Sequence, residues 1–187
     1  MTREEARQIL YQMTNSDSLL RHARTVELVM EAYATKLNQD VNQWAITGLL
    51  HDADYQLYPD QHPNVIVKEL RERGEEEIAH AISAHYTHWG VSYDTLLDKA
   101  LLACDELTGF IVACAQVRPQ RLERLEPKSV IKKLGQKSFA ASVDRDEVRI
   151  GTGLFGVDLQ EHIAFIIEVL QQHQHELNLQ PQTGAQV

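Results

Sequence analysis

His22, the pair His51-Asp52, His85 and Asp105 are the residues whose types and placement bear most directly on chemistry. His51, Asp52 and Asp54 close the apolar run Ala45-Ile46-Thr47-Gly48-Leu49-Leu50. His22 precedes Val26 by one helical turn, His85 follows Ile78 and Ile82, and Asp105 follows Leu101 and Leu102, each on an apolar face. A carboxylate buried without a partner costs several kcal/mol, so it is normally paired or bound to a cation. One histidine on an apolar face is ordinarily a hydrogen-bonded core residue, and Asp105 alone would be an ordinary buried ion-pair member. Together, on buried faces of four separate helices, these residues share one explanation: a metal ion enclosed between the helices. Neutral imidazoles and carboxylates suit iron, manganese, zinc and related divalent ions, and a cation supplies the charge that the buried carboxylates lack. Such an ion lowers the pKa of water and, in pairs, holds a phosphate.

The elements that must position them are helical almost throughout. Thr2 to Tyr11 carries the capping-box pattern Thr2-x-x-Glu5. Residues 16–37 place Leu19, Ala23, Val26, Val29/Met30, Tyr33 and Leu37 on one stripe. Asp40 caps a third helix, apolar on nearly all sides and hence central, that runs to Asp52. A loop with two prolines follows. Further helices are predicted from Pro63 to Gly74, Glu75 to Tyr86, Thr95 to Val117, Pro127 to Leu134, Asp144 to Phe155 and Asp158 to Leu179. Period-2 alternation is absent, so the class is all-α.

The chain has 187 residues and a net charge of −9. That length predicts one domain over residues 1–180, with 181–187 a frayed tail. The acidic balance argues against a nucleic-acid polymer as partner. No apolar run reaches the length of a transmembrane span. Cys104 and Cys114 fall on one helix, about 15 Å apart at 1.5 Å per residue, too far to bridge. Free thiols predict a cytoplasmic protein.

Arg21-His22, Leu50-His51-Asp52 and Ala103-Cys104-Asp105 resemble the H…HD…D signature of the HD superfamily of metal-dependent phosphohydrolases, over residues 16–115. The resemblance implies a single-domain helical bundle around a buried metal site. His62 and His85 look like the two further ligands of dinuclear HD subfamilies, such as the HD-type diadenosine tetraphosphate hydrolases and cyclic dinucleotide phosphodiesterases. Carried over, His22, His51, Asp52 and Asp105 would take one divalent transition ion (iron, manganese or similar). A bridging Asp52 with His62 and His85 would take a second. Many relatives read HDIG where this chain reads His51-Asp52-Ala53-Asp54, which places an extra carboxylate beside the site. The implied function is hydrolysis of a phosphomonoester or phosphoanhydride of a small phosphorylated metabolite, foremost a nucleotide. The alternatives are a nucleotide sensor without catalysis and a di-iron oxygenase of the same fold.

Asp52 is then both ligand and catalytic residue, and Asp54 is the candidate acid or base. Tyr55 and Thr108 are candidates to line the pocket. Nine of the 18 basic residues lie between Arg118 and Arg149. This segment, 116–156, is expected to cap the site and bind the anion through Lys128, Lys137 and Arg145. The last helix, 158–180, with Ile163, Ile166, Ile167 and Leu170, packs internally or forms a homodimer. His80, His173 and His175 are expected in solvent, His162 at a polar helix edge, and His88 in a loop near the pocket.

Overall fold

A computed structural model describes residues 1–182. Among these residues nine α-helices and no strand are present: α1 Arg3–Met13, α2 Asp17–Lys36, α3 Val41–Leu50, α4 Asn64–Glu72, α5 Glu76–Ser83, α6 Leu96–Gln116, α7 Pro127–Leu134, α8 Arg145–Phe155 and α9 Leu159–Gln172, with one turn of 3-10 helix at Thr87–Trp89. The all-α expectation holds.

Helix starts follow the capping chemistry. Thr2 and Glu5 form the expected reciprocal capping box of α1, and Thr95 and Asp98 form another at α6. Asp40, Asp144 and Asp158 accept first-turn N–H groups of α3, α8 and α9. Helix α3 is central, with every residue from Trp44 to Leu50 buried. It presses against α2 so closely that a Cβ on Gly48 would lie 2.8 Å from the Val26 carbonyl oxygen. Helix α6 meets α8 in the same way, since a Cβ on Gly151 would lie 2.7 Å from the Leu102 carbonyl. These two glycines allow backbone-to-backbone approach beneath the helices that carry His22, His51 and Asp105. The buried apolar residues form one cluster from Ala6 to Leu179.

Three local expectations change. Helix α9 stops at Gln172 and does not reach Leu179. Burial decides this, because the chain turns back to seat Leu177 and Leu179 in the core and Leu122 N–H donates to the Leu179 carbonyl. Gln182 N–H donates to Pro119, and the remainder of the expected tail lies outside the described residues. His85 falls just outside a helix, because α5 ends at Ser83 and not at Tyr86, whereas His62 precedes α4 as expected. His162 is fully buried and not at a polar edge. Both its nitrogens are satisfied within the core: Nε2–H donates to the Ala103 carbonyl (2.9 Å) and Nδ1 accepts from the Tyr33 hydroxyl (2.6 Å). Cys104 and Cys114 both lie on α6, buried and free.

Candidate metal centre

Three helices and two connecting segments bring the ligand candidates together. Helix α2 supplies His22, the end of α3 and the turn after it supply His51 and Asp52, and α6 supplies Asp105. The segments flanking α4 and α5 supply His62 and His85. The turn that follows α3 is held from α1 and the segment after it. Thr14 Oγ1 donates to the Ala53 carbonyl (2.8 Å), and Gln56 Oε1 accepts the N–H groups of Asn15 and Ser16, each at 3.0 Å.

His22 Nε2 lies 3.1 Å from His51 Nε2 and 3.0 Å from Asp105 Oδ1, and His51 Nε2 is 3.2 Å from the same oxygen. Asp52 stands between two groups. Its Oδ2 faces His51 Nε2 (3.4 Å) and His22 Nε2 (3.6 Å), and its Oδ1 faces His62 Nε2 (3.3 Å) and His85 Nε2 (3.6 Å). His22, His51, Asp52 and Asp105 thus make one set whose ligand atoms fall within 4.8 Å of one another, and Asp52, His62 and His85 make a second.

The outer nitrogens decide the tautomers. His51 Nδ1–H donates to the Gly48 carbonyl (2.8 Å), His85 Nδ1–H to the Ile82 carbonyl (2.5 Å) and His62 Nδ1–H to Asp54 Oδ1 (2.6 Å). Each turns Nε2 inward, the atom through which an imidazole ligates a metal once it carries no proton, with the second hydrogen bond already in place. Tyr55, Tyr86 and Trp89 rings hold the imidazoles from outside, with Tyr55 5.5 Å from His62 and Tyr86 4.6 Å from His85, centroid to centroid.

The residues fit a cation. Asp52 Oδ1, His62 Nε2, His85 Nε2 and Asp105 Oδ2 are buried without a hydrogen-bond partner, each an expense of about 1–3 kcal/mol unless something binds it. Burial alone would raise the Asp105 carboxyl and depress the His51 imidazole. Their mutual attraction overrides burial, so Asp105 and Asp52 sit well below the usual carboxylate range and His51 well above its own.

A cavity of about 350 Å3 opens on this cluster, lined by His22, Asp52, Tyr55, Tyr86, Glu106, Ser142 and Val143 among others. A larger one, about 420 Å3 beside Leu134, Arg145 and Val148, is nearly all apolar and contains none of the clustered residues. Glu106 was not singled out by sequence. Its carboxyl accepts from Asp144 N–H (3.2 Å) and the Tyr86 hydroxyl (3.4 Å), and burial, reinforced by Asp105, pushes it up to about 8. Its position next to Asp105 on α6 was the available signal.

Other candidates sit elsewhere. Asp54 is fully buried behind His62, where Oδ2 accepts Val65 and Ile66 N–H groups at 3.0 Å. It holds the His62 imidazole and caps α4, and it does not line the cavity. Tyr55 lines the cavity and Thr108 does not. None of Lys128, Lys137 and Arg145 lines it either. Lys128 and Lys137 are exposed. The Arg145 guanidinium donates to the Ala140, Val143, Gln136 and Phe139 carbonyls, because that loop has no helix to pair its own carbonyls. The loop, not the cation, reaches the site, through Ala140, Ser142 and Val143. His88 is exposed, His80 approaches Asp98 at 3.3 Å and His173 approaches Glu176 at 2.8 Å.

The HD-domain family model matches residues 19–114, more than half of the chain. The chain belongs to the HD-domain family. This is a superfamily of metal-dependent phosphohydrolases, and the His/Asp cluster of this HD domain fits a metal site. No curated protein and no solved structure matches the chain. No helix among the described residues of the HD protein is long and apolar enough to cross a membrane.

Proposed function

We propose that this HD domain hydrolyses a phosphate ester or anhydride bond of a small phosphorylated metabolite, foremost a nucleotide, and holds two divalent transition ions, iron, manganese or a similar metal. The observation that carries the reading is Asp52: each of its two oxygens faces a different set of imidazole lone pairs. His22, His51, Asp52 and Asp105 would hold one ion, and Asp52, His62 and His85 the other. Bound ions supply Lewis acidity and water of lowered pKa beside a phosphoryl group.

The chain does the positioning. The Gly48 and Ile82 carbonyls and the Asp54 carboxylate hold the proton of three imidazoles on Nδ1 and turn Nε2 inward, where it can bind an ion once unprotonated. Asp54 therefore acts through His62. The cavity walled by Tyr55, Tyr86, Glu106 and Val143 seats the remainder of the substrate and limits water around it. One domain, with its ligands in 16–115, a wall from 116–156 and a closing segment from 158–180, is the organisation this reading uses.

Elemental analysis of purified protein is expected to give close to two metal equivalents. His51→Ala and Asp52→Ala are each expected to lose metal and phosphatase activity together while remaining folded by circular dichroism. Undiminished hydrolysis in both variants would overturn the assignment.

A further inference from the structure

Two cavities meet at the candidate metal centre, and they offer a substrate different things. The larger, about 350 Å3, runs from His22 and Asp52 past Tyr55, Tyr86 and Glu106 to Ser142. Its polar groups are hydroxyls, carboxyls and one imidazole, and no lysine or arginine lines it. The smaller, about 190 Å3, shares His22, Gly109 and Ala113 with the first and contains Arg21. Arg21 is half-buried and makes no ion pair or hydrogen bond among the described residues. No basic side chain from 118 to 149 lines either cavity: Arg118, Arg121 and Arg145 donate to backbone carbonyls, and Lys133 covers the Phe139 ring at 4.1 Å.

A phosphoryl group beside the ligand cluster would have its charge matched by the bound ions and by Arg21. A second phosphate in the larger cavity would face the Glu106 carboxyl, which in either protonation state offers no positive charge. An unpaired anion or a like-charge contact there costs several kcal/mol. An uncharged alcohol suits the same space. Tyr55 and Tyr86 present ring faces and hydroxyls, and Glu106 can accept from a substrate hydroxyl. About 350 Å3 is near the lower end for ligand sites and has room for one small metabolite.

Resting on the phosphohydrolase reading above, we propose that the substrate is a phosphomonoester of an uncharged, hydroxyl-bearing alcohol of nucleoside or sugar type. Its alcohol part occupies the Tyr55–Tyr86–Glu106 cavity, and nucleoside di- and triphosphates and dinucleoside polyphosphates are rejected. Water attacks phosphorus, the bond from phosphorus to the ester oxygen breaks, that oxygen takes a proton and leaves as the free alcohol, and inorganic phosphate is released.

The test uses metal-analysed wild-type protein and a panel of nucleoside 5′-monophosphates, sugar phosphates, the matching nucleoside di- and triphosphates and a dinucleoside tetraphosphate. The best monophosphate, nucleoside or sugar, is expected to exceed every polyphosphate in kcat/KM by at least about 100-fold, the size of a few kcal/mol of discrimination. In calorimetry, its non-hydrolysable phosphonate is expected to bind at least about tenfold more tightly than the analogue extended by one phosphate. Ser142→Lys sets a cation into the wall at an exposed position and is expected to narrow the kcat/KM gap by about tenfold. A wild-type preference for polyphosphates, tighter binding of the extended analogue, or an unchanged gap in folded, metal-loaded Ser142→Lys overturns this inference and leaves the hydrolase reading standing. No turnover anywhere on the panel by protein carrying two metal equivalents overturns both.

Discussion

At the residue scale, the candidate centre depends on atoms one bond away from the ligand atoms. A histidine is a ligand only through an unprotonated nitrogen, and here three outer acceptors choose which nitrogen that is. Asp54 is the most exposed of these choices to mutation, because its carboxylate serves His62 and the first turn of α4 at once. Asp54→Asn is expected to weaken the second ion by about 10–100-fold, taking metal content from two equivalents toward one after dialysis against a competing chelator; two equivalents retained would remove Asp54 from the positioning role. His162 gives a separate residue-scale prediction. Burial first, with Lys36 adding to it, lowers its pKa to about 4 despite the Ala103 hydrogen bond. The unfolded chain takes up that proton near pH 6.5, so between those values it binds more protons than the native state. Stability from neutral His162 is therefore complete above about pH 6.5 and drains away as pH falls toward 4, by roughly 3 kcal/mol in all. Urea unfolding at intervals over this range should show wild type losing its advantage over His162→Gln as the pH drops. A constant difference between the two proteins would contradict it.

At the element scale, helices α2, α3, α6 and α8 must approach closely before the ligands can converge. Gly48 and Gly151 sit at those crossings with no room for a methyl group, whereas a Cβ on Gly153 of α8 would meet nothing within 4 Å. Gly48→Ala and Gly151→Ala are expected to destabilise by about 1–3 kcal/mol through overpacking, and to reduce metal retention as α2 and α6 are pushed off. Gly153→Ala, two residues further along α8 and so on the opposite side of that helix, is expected to stabilise by about 0.5–1 kcal/mol from helix propensity alone. Thermal melts of the three variants check both signs. The helices were legible because the Thr2-x-x-Glu5 start of α1, the stripe of α2 and the uniform apolarity of α3 are local patterns. The ends were less legible. Whether His85 stands inside or just outside a helix depends on contacts with α3 and α6 that no window of sequence contains.

At the scale of the whole molecule, the ligands are spread from residue 22 to residue 105, so binding a cation ties distant parts of one core together. It also relieves the four orphaned buried atoms. Metal loading is therefore expected to raise the melting temperature: about 4 kcal/mol at a thousandfold excess over the dissociation constant, on the order of 10 °C for a chain of this size. Calorimetric scans with and without a chelator measure it, and coincident melts would argue that the cluster binds no ion. The same scale explains the basic segment. Its charges are dense in sequence, but the loop they sit on needs donors for its carbonyls, and Arg145 is consumed by that need.

The sequence by itself determined the helical class, the capping residues, and His22, His51, Asp52, His85 and Asp105 as a group, because burying ionisable groups on apolar faces is a local contradiction that only a shared partner resolves. The resemblance to HD proteins added His62 and the division into two ligand sets. What the tertiary structure alone decided is direction: which oxygen of Asp52 faces which imidazoles, that Asp54 points at His62 and away from the cavity, that Glu106 lines it, and that Arg118, Arg121 and Arg145 turn to the backbone. Side-chain direction follows from how helices cross and from which carbonyls are left without donors, and both are properties of the packed chain.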